Sequence, residues 1–172
     1  MTKSKSKLFN RPRKTYDSVR IKSEHQLAKK YGLKSMREIW KADFAISGIR
    51  NRAKKLITAD VEQQEKFIEM QKKKGFKVES ITDILALNKE DYLKRRLQSI
   101  LVEKKLCRTP GQARQVIVHK QVTIDGEITD APSHLTTLED ENKIRVNVVL
   151  PIKEEKKESI EIKPSEEENS EE

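Results

Sequence analysis

The chain has 172 residues, 34% of them apolar and 38% charged, with a formal net charge of +9. That length holds one ordinary domain or two small ones and excludes a large multi-domain enzyme, and an apolar share below the ~45–50% usual for globular domains predicts a thin core. So lopsided a charge balance points to a polyanion, because each Lys or Arg set on a phosphate releases condensed counterions, whereas a Lys/Glu-rich thermophile surface raises both signs together.

Residues 1–60 carry 17 Lys+Arg against 5 Asp+Glu, so the basic partner surface begins at the N-terminus. Residues 1–13 read as a basic arm and 14–87 as a helical domain. In a capping box a Ser, Thr, Asp or Asn side chain satisfies an orphan amide while an acidic or amide residue three positions on reaches back. Such pairs predict helix starts at Ser23 with Gln26, Ser35 with Glu38 and Asp60 with Gln63, each ahead of apolar spacing near 3.6. Trp40 with Phe44 and Ile39 is most simply core between these helices. Gly75 and Ser80 interrupt the pattern and mark a boundary.

A second module is expected over 88–150. Asn88 with Asp91 opens a helix that puts Leu93, Leu97, Ile100 and Leu101 on one stripe, Lys94, Arg95 and Gln98 on the other side, and Arg96 on the flank. Lys104 to Arg108 end it. Thr109 with Gln112 starts the next helix, with Pro110 at the first helical position, where its missing amide costs nothing. There Ala113, Val116 and Ile117 form the inner stripe, Arg114 lies beside it, and Gln112, Gln115 and His119 point elsewhere. After Lys120 the pattern alternates through Val122, Ile124, a turn at Asp125-Gly126 and Ile128, which predicts a hairpin; a strand-like run follows over 143–150. The fold class is α+β: an N-terminal helical domain plus a helix-turn-helix module packed with a small antiparallel β element. Residues 151–172, with 4 Lys+Arg against 9 Asp+Glu, read as an acidic disordered tail.

Arg95, Arg96, Arg108, Arg114 and Lys120 come from neighbouring surfaces of this one small unit, which predicts a grip on phosphates along a bent RNA backbone. A DNA reader also uses a helix-turn-helix, with the second helix in the major groove; here a β element replaces the third helix, and the second helix is short. For any isolated Arg pair a solvated helix face is the simpler account, and the clustering of Arg95 and Arg96 with Arg108 and Arg114 is what favours a binding surface.

The stretches Tyr92-Leu-Lys-Arg-Arg-Leu-Gln and Arg108-Thr-Pro-Gly-Gln-Ala-Arg-Gln-Val-Ile-Val-His closely resemble the RNA-binding module of the small-subunit ribosomal protein S-four family, in its archaeal or eukaryotic form. Lys30-Tyr-Gly-Leu-Lys, Arg37-Glu-Ile-Trp-Lys, Ile84-Leu-Ala-Leu and Pro132-Ser133 before Leu135 extend the resemblance to about residues 14–146. It implies the alpha-L-like RNA-binding fold and a structural constituent of the small ribosomal subunit, not an enzyme and without a cofactor. Such a protein binds small-subunit ribosomal RNA (rRNA) early in assembly and organises a helical junction of the 5′ domain. It lies near the channel by which messenger RNA (mRNA) enters, contributes to translational accuracy, and is cytoplasmic, beside neighbouring small-subunit proteins that include the protein-five family. Carried over position by position, Arg95, Arg96, Gln98, Arg108, Thr109, Gln112, Arg114 and His119 contact RNA by shape and phosphate rather than base sequence. Gln115, Lys120 and the arm residues Arg11, Arg13 and Lys14 join them, the arm from Lys3 to Lys14 ordering only on RNA. The chain departs from the family where Lys120-Gln121 replaces the usual Gly-His, where Asp125-Gly126 replaces the commoner Asn-Gly, and near Tyr16, where Pro-Arg and Pro-Trp elements are missing.

Cys107 is the single cysteine, so neither a disulfide nor the cysteine zinc site of bacterial members can form within the chain, and a reducing compartment fits. No run of about 18 apolar residues predicts a membrane span, and no signal segment is expected. His25, His119 and His134 are far apart, and no metal is expected. Two rivals accompany the same module: an RNA-modifying enzyme, which would need an acid/base pair within residues 1–87, and a nucleolar assembly factor that pairs with a small nucleolar RNA.

Overall fold

Helices begin where a side chain can satisfy the orphan amides of a first turn. The computed structural model describes residues 8–147, so the acidic tail and the outer part of the basic arm lie outside the described residues. Helix α1 (Ser18–Tyr31) is capped by Asp17, whose Oδ1 accepts from the Val19 amide at 3.1 Å. Ser23, expected as that cap, lies inside α1 with its Oγ on the Arg20 carbonyl at 2.8 Å; a hydroxyl bonding back one turn rides within a helix as readily as it starts one. Helix α2 (Met36–Leu56) starts at Ser35 and α3 (Val61–Lys73) after Asp60, both as expected, although the Asp60 side chain makes no capping bond. Two capping boxes went unread in the sequence: Ser80 with Asp83 opens α4 (Ile81–Ala86), and Thr137 with Asp140 opens α8 (Leu138–Lys143).

The helix expected from Asn88 breaks in two, α5 (Lys89–Lys94) and α6 (Leu97–Glu103), with Arg96 extended between them at φ −75°, ψ 144°. A distant segment makes the break: Arg96 forms a β-bridge with Leu135, the Leu97 amide donates to the His134 carbonyl at 2.8 Å, and the Thr136 amide donates to the Arg95 carbonyl at 3.2 Å. The single apolar stripe therefore divides. Leu93 packs with Tyr31 and Ala42, while Leu97 and Leu101 join Cys107, Ala113, Val116, Ile117, Val122 and Ile124 in the core of the C-terminal part. A third cluster, centred on Ile46, Phe67, Phe76 and Ile84, holds α2, α3 and α4 together. Ile39 is core as expected, but Trp40 is half-buried, its ring stacked on Phe9 at 6.2 Å. Phe44 faces outward at 36% exposure.

Helix α7 (Pro110–Val118) is capped by Thr109, whose Oγ1 accepts from the Gln112 amide at 3.2 Å, while Gln112 Oε1 reaches one residue beyond the cap and accepts from the Arg108 amide at 3.0 Å. The hairpin forms as predicted. Strands β1 (Val122–Ile124) and β2 (Glu127–Ile128) pair Ile124 with Glu127 around Asp125 and Gly126, at φ +53° and +88°, the geometry of a type I′ turn. The run expected over 143–150 is a strand only from β3 (Ile144–Val146), which pairs antiparallel with β1 in the order β2-β1-β3; residues 148–150 lie outside the described residues. Lys143 Nζ meets the Asp125 carboxylate at 2.7 Å, which offsets the negative charge at the turn.

Among the described residues four helices end with a left-handed residue whose successor returns an amide to the last turn. At α1 and α3 that residue is Gly32 or Gly75, but at α6 and α7 it is Lys105 or Lys120, each at φ +59°. An L side chain in this region is strained, and the typical glycine is the residue this chain lacks at 120. Lys120→Gly is expected to raise the unfolding free energy by about 1 kcal/mol, as a shift in urea midpoint at constant m-value.

Candidate nucleic-acid interface

Because the backbone at Arg96 is extended, consecutive side chains leave it on opposite faces. Arg95 turns to one side, where its Nη2 donates to the Thr136 carbonyl at 3.2 Å and meets Glu141 at 3.0 Å, and its Nε donates to the Lys74 carbonyl at 3.2 Å. Arg96 turns to the other and is 4% exposed, its Nη2 2.5 Å from Glu38 Oε2. Arg114 of α7 arrives at the same carboxylate, Nη2 to Oε1 at 3.1 Å. Two arginines from the C-terminal part thus close on one glutamate of α2. The expected single cradle is corrected accordingly: Arg96 and Arg114 share a site, and Arg95 belongs to the opposite side of the break.

The triad forms the floor of a cleft of about 340 Å³ whose other walls come from Lys41, Tyr92, Pro132 and Ser133. Three cations face one carboxylate, so the cleft is net positive. Burial by itself would raise the Glu38 carboxyl, but hydrogen bonds and charge from Arg96 and Arg114 outweigh it and hold the group below its ordinary value. Glu38 is therefore ionised at neutral pH and orients both guanidiniums, Arg114 through both Nη1 and Nη2 and Arg96 through Nη2.

Gln98, expected to reach RNA, is 1% exposed. Its Nε2 donates to the carbonyls of Tyr31 at 2.8 Å, Gly32 at 3.0 Å and Pro110 at 3.0 Å, so the side chain ties the end of α1 to the start of α7. Arg108, Thr109, Gln115, His119 and Lys120 are exposed, and Gln112 is half-buried. Gln112, Gln115 and His119 stand at i, i+3 and i+7 on α7 and so share its outward face, with Arg108 before it and Lys120 after it. Arg11, Arg13 and Lys14 are exposed on the arm. The arm's inner part is held by the chain itself, through Phe9 on Trp40 and through the Lys14 and Thr15 carbonyls, each accepting from Arg20 Nη2 at 3.0 Å. This corrects the expectation that the whole of 3–14 orders only on RNA.

Glu38 and Lys41 were missed as site residues. Glu38 had the spacing of a capping residue, and nothing local signals partners 58 and 76 positions away. Burial pushes the Cys107 thiol up, which suits a small apolar residue of the core rather than a nucleophile. Among the described residues no three His, Cys, Asp or Glu side chains converge as metal ligands, and no helix is long and apolar enough to cross a membrane.

A family model described as the S4 domain matches residues 95–142, from the break ahead of α6 to α8. The small ribosomal subunit protein uS4 of Methanococcus aeolicus is 37% identical over 146 residues, covering 81% of this chain and 82% of its own length. The protein of the same name from Nanoarchaeum equitans is 38% identical over 149 residues, 82% of this chain and 83% of its own. That of Halobacterium salinarum is 34% identical over 143 residues, 81% and 84%.

Proposed function

This chain belongs to the family of small ribosomal subunit protein uS4, a family of ribosomal components and not of enzymes, and we propose that it binds small-subunit rRNA through the cleft at Glu38 and the outward face of α7. The observation that carries this reading is a net-positive cleft, pre-set by an internal carboxylate, beside a helix face of Gln112, Gln115 and His119 flanked by Arg108 and Lys120. Guanidiniums held rigidly in place lose little freedom when a phosphate arrives. In this assignment Arg114, Lys41, Arg108 and Lys120 take phosphates, Thr109, Gln112, Gln115 and His119 bond sugar or backbone, and Arg11, Arg13 and Lys14 add contacts along the arm. Arg95, Arg96 and Gln98 act from within, by holding the break and the two helical parts in register. The RNA-binding module then begins near residue 95, where Leu93 and Leu97 part to different cores.

The finer assignment follows the family: a helical junction of the 5′ domain as ligand, early binding during assembly, neighbours that include the protein-five family, and a position near the mRNA channel with an effect on accuracy. A strained Lys120 fits a cation kept for a phosphate at a cost in stability. Arg108→Ala with Lys120→Gly is expected to flatten the log–log salt dependence of rRNA binding by about 1.5 to 2, although Lys120→Gly by itself stabilises the fold. An unchanged slope removes both from the interface. Crosslinking to RNA within sedimented small subunits tests the assignment as a whole; a chain absent from mature subunits would be an assembly factor instead.

A further inference from the structure

The cleft at Glu38 sets the cations Lys41, Arg96 and Arg114 against one carboxylate. Its floor already shows what it accepts, since Arg114 grips Glu38 through Nη1 at 3.4 Å and Nη2 at 3.1 Å. A second carboxylate would meet the charge that Glu38 leaves uncancelled. Along α7, Arg114 and Val118 stand at i and i+4, with Gln121 a further three positions on, so the three form one row. Val118 is 54% exposed in the middle of that row.

The described chain leaves the fold at the end of the same row. Strand β3 runs antiparallel to β1, and the Asn147 amide that follows it donates to the Gln121 carbonyl at 3.0 Å. Residues 148–172 continue from this point, and the order of their chemistry matches the row. The apolar Ile160 and Ile162 come first, then residues 165–172 with five Glu and no Lys or Arg. Glu166 stands 19 positions past Asn147, which allows up to ~60 Å of extended chain. Arg114 lies only about 10 Å back along the row from Gln121. A solvated segment is the simpler account of the glutamates taken alone; the point of exit and the matching order favour docking.

We propose that residues 160–172 fold back along α7 in the free protein, with Ile160 and Ile162 over Val118 and the glutamates of 166–172 in the Glu38 cleft against Lys41 and Arg114, and that rRNA displaces them. A tethered segment acts at an effective concentration in the millimolar range, so weak contacts suffice to mask the cleft. A polyanion that touches the cleft alone is then held off, whereas a folded RNA that also engages the face of α7 and the arm wins the competition. Displacing the glutamates also releases fewer counterions than filling a bare cleft. The competition rests on the rRNA-binding reading; the docking in the free protein does not.

The test begins without RNA. Carbodiimide, which joins a carboxylate to an amine in contact with it, is applied to the free full-length protein and the products are mapped by mass spectrometry. Glutamates of 166–172 are expected to join Lys41 in a yield independent of protein concentration, reduced at least threefold in Val118→Asp and lost when purified small-subunit rRNA is added. Absence of that crosslink, or a yield that grows with concentration as for a second copy's tail, overturns the docking. Filter binding across a salt series then compares the wild-type chain with a full-length variant carrying Glu166→Gln, Glu167→Gln, Glu168→Gln, Glu171→Gln and Glu172→Gln. The variant is expected to bind rRNA about three- to tenfold more tightly at low salt, with a log–log slope steeper by about 1.5. Equal affinity and slope overturn the competition. If neither chain binds the rRNA, the functional reading falls and the displacement with it, whereas the crosslink in the free protein is judged independently.

Discussion

Glu38→Ala is expected to lower the unfolding free energy by about 3 kcal/mol. The substitution leaves Arg96, 4% exposed, with a desolvated positive charge and no counter-ion. Removing one member of a buried pair commonly costs about 3–5 kcal/mol, mostly through the charge left behind. The lower end applies because Arg114 is a quarter exposed and can turn to solvent. Glu38→Gln keeps an acceptor oxygen and should cost less.

The pH dependence has a definite sign. Glu38 titrates below its ordinary value in the folded chain, so the unfolded chain takes up its proton first as pH falls. The triad's contribution is complete above the ordinary carboxylate range near 4.5 and is lost as pH drops through the lower, folded value. Urea unfolding of wild type and Glu38→Ala should therefore show a wide gap at pH 7 that narrows steadily below about pH 4.5. A gap independent of pH would mean that the carboxylate charge does not hold the arginines.

Gln98→Leu is expected to cost about 3 kcal/mol and to leave the salt dependence of rRNA binding unchanged. Leucine fills similar space, but the carbonyls of Tyr31, Gly32 and Pro110 lose their shared donor at a buried to partly buried junction. Gly32 leaves no slack for a compensating shift: a Cβ there would lie 2.8 Å from both Gln98 Nε2 and Pro110 Cβ. Stability and RNA binding thus separate at this residue. A variant of full stability with a flattened slope would return Gln98 to the RNA surface. Together Glu38 and Gln98 explain how a helical part and a module with separate cores can present one surface, since α1 and α2 are each bonded to side chains of α6 or α7.

What could be known from the order of residues is what is decided within about one helical turn. The start of α7 follows from Thr109, Pro110 and Gln112, the hairpin turn from Asp125-Gly126, the cationic N-terminal half from composition, and the α+β class from the change of period after Lys120. Motif spacing around Arg95 to Gln98 and Arg108 to His119 sufficed for the family as well. The break at Arg96 was not accessible, because Lys89 to Glu103 has sound helical periodicity and is interrupted only when the segment at 134–136 supplies competing backbone partners. That break reverses the sides of Arg95 and Arg96, and it turns Gln98 from an outward polar residue into an internal tie. Glu38, Arg96 and Arg114 meet across 58 and 76 positions. No periodicity or cap reports such a meeting, since the energy that selects it comes from pairing buried charges, and which charges are buried is settled only when the separate cores close on one another.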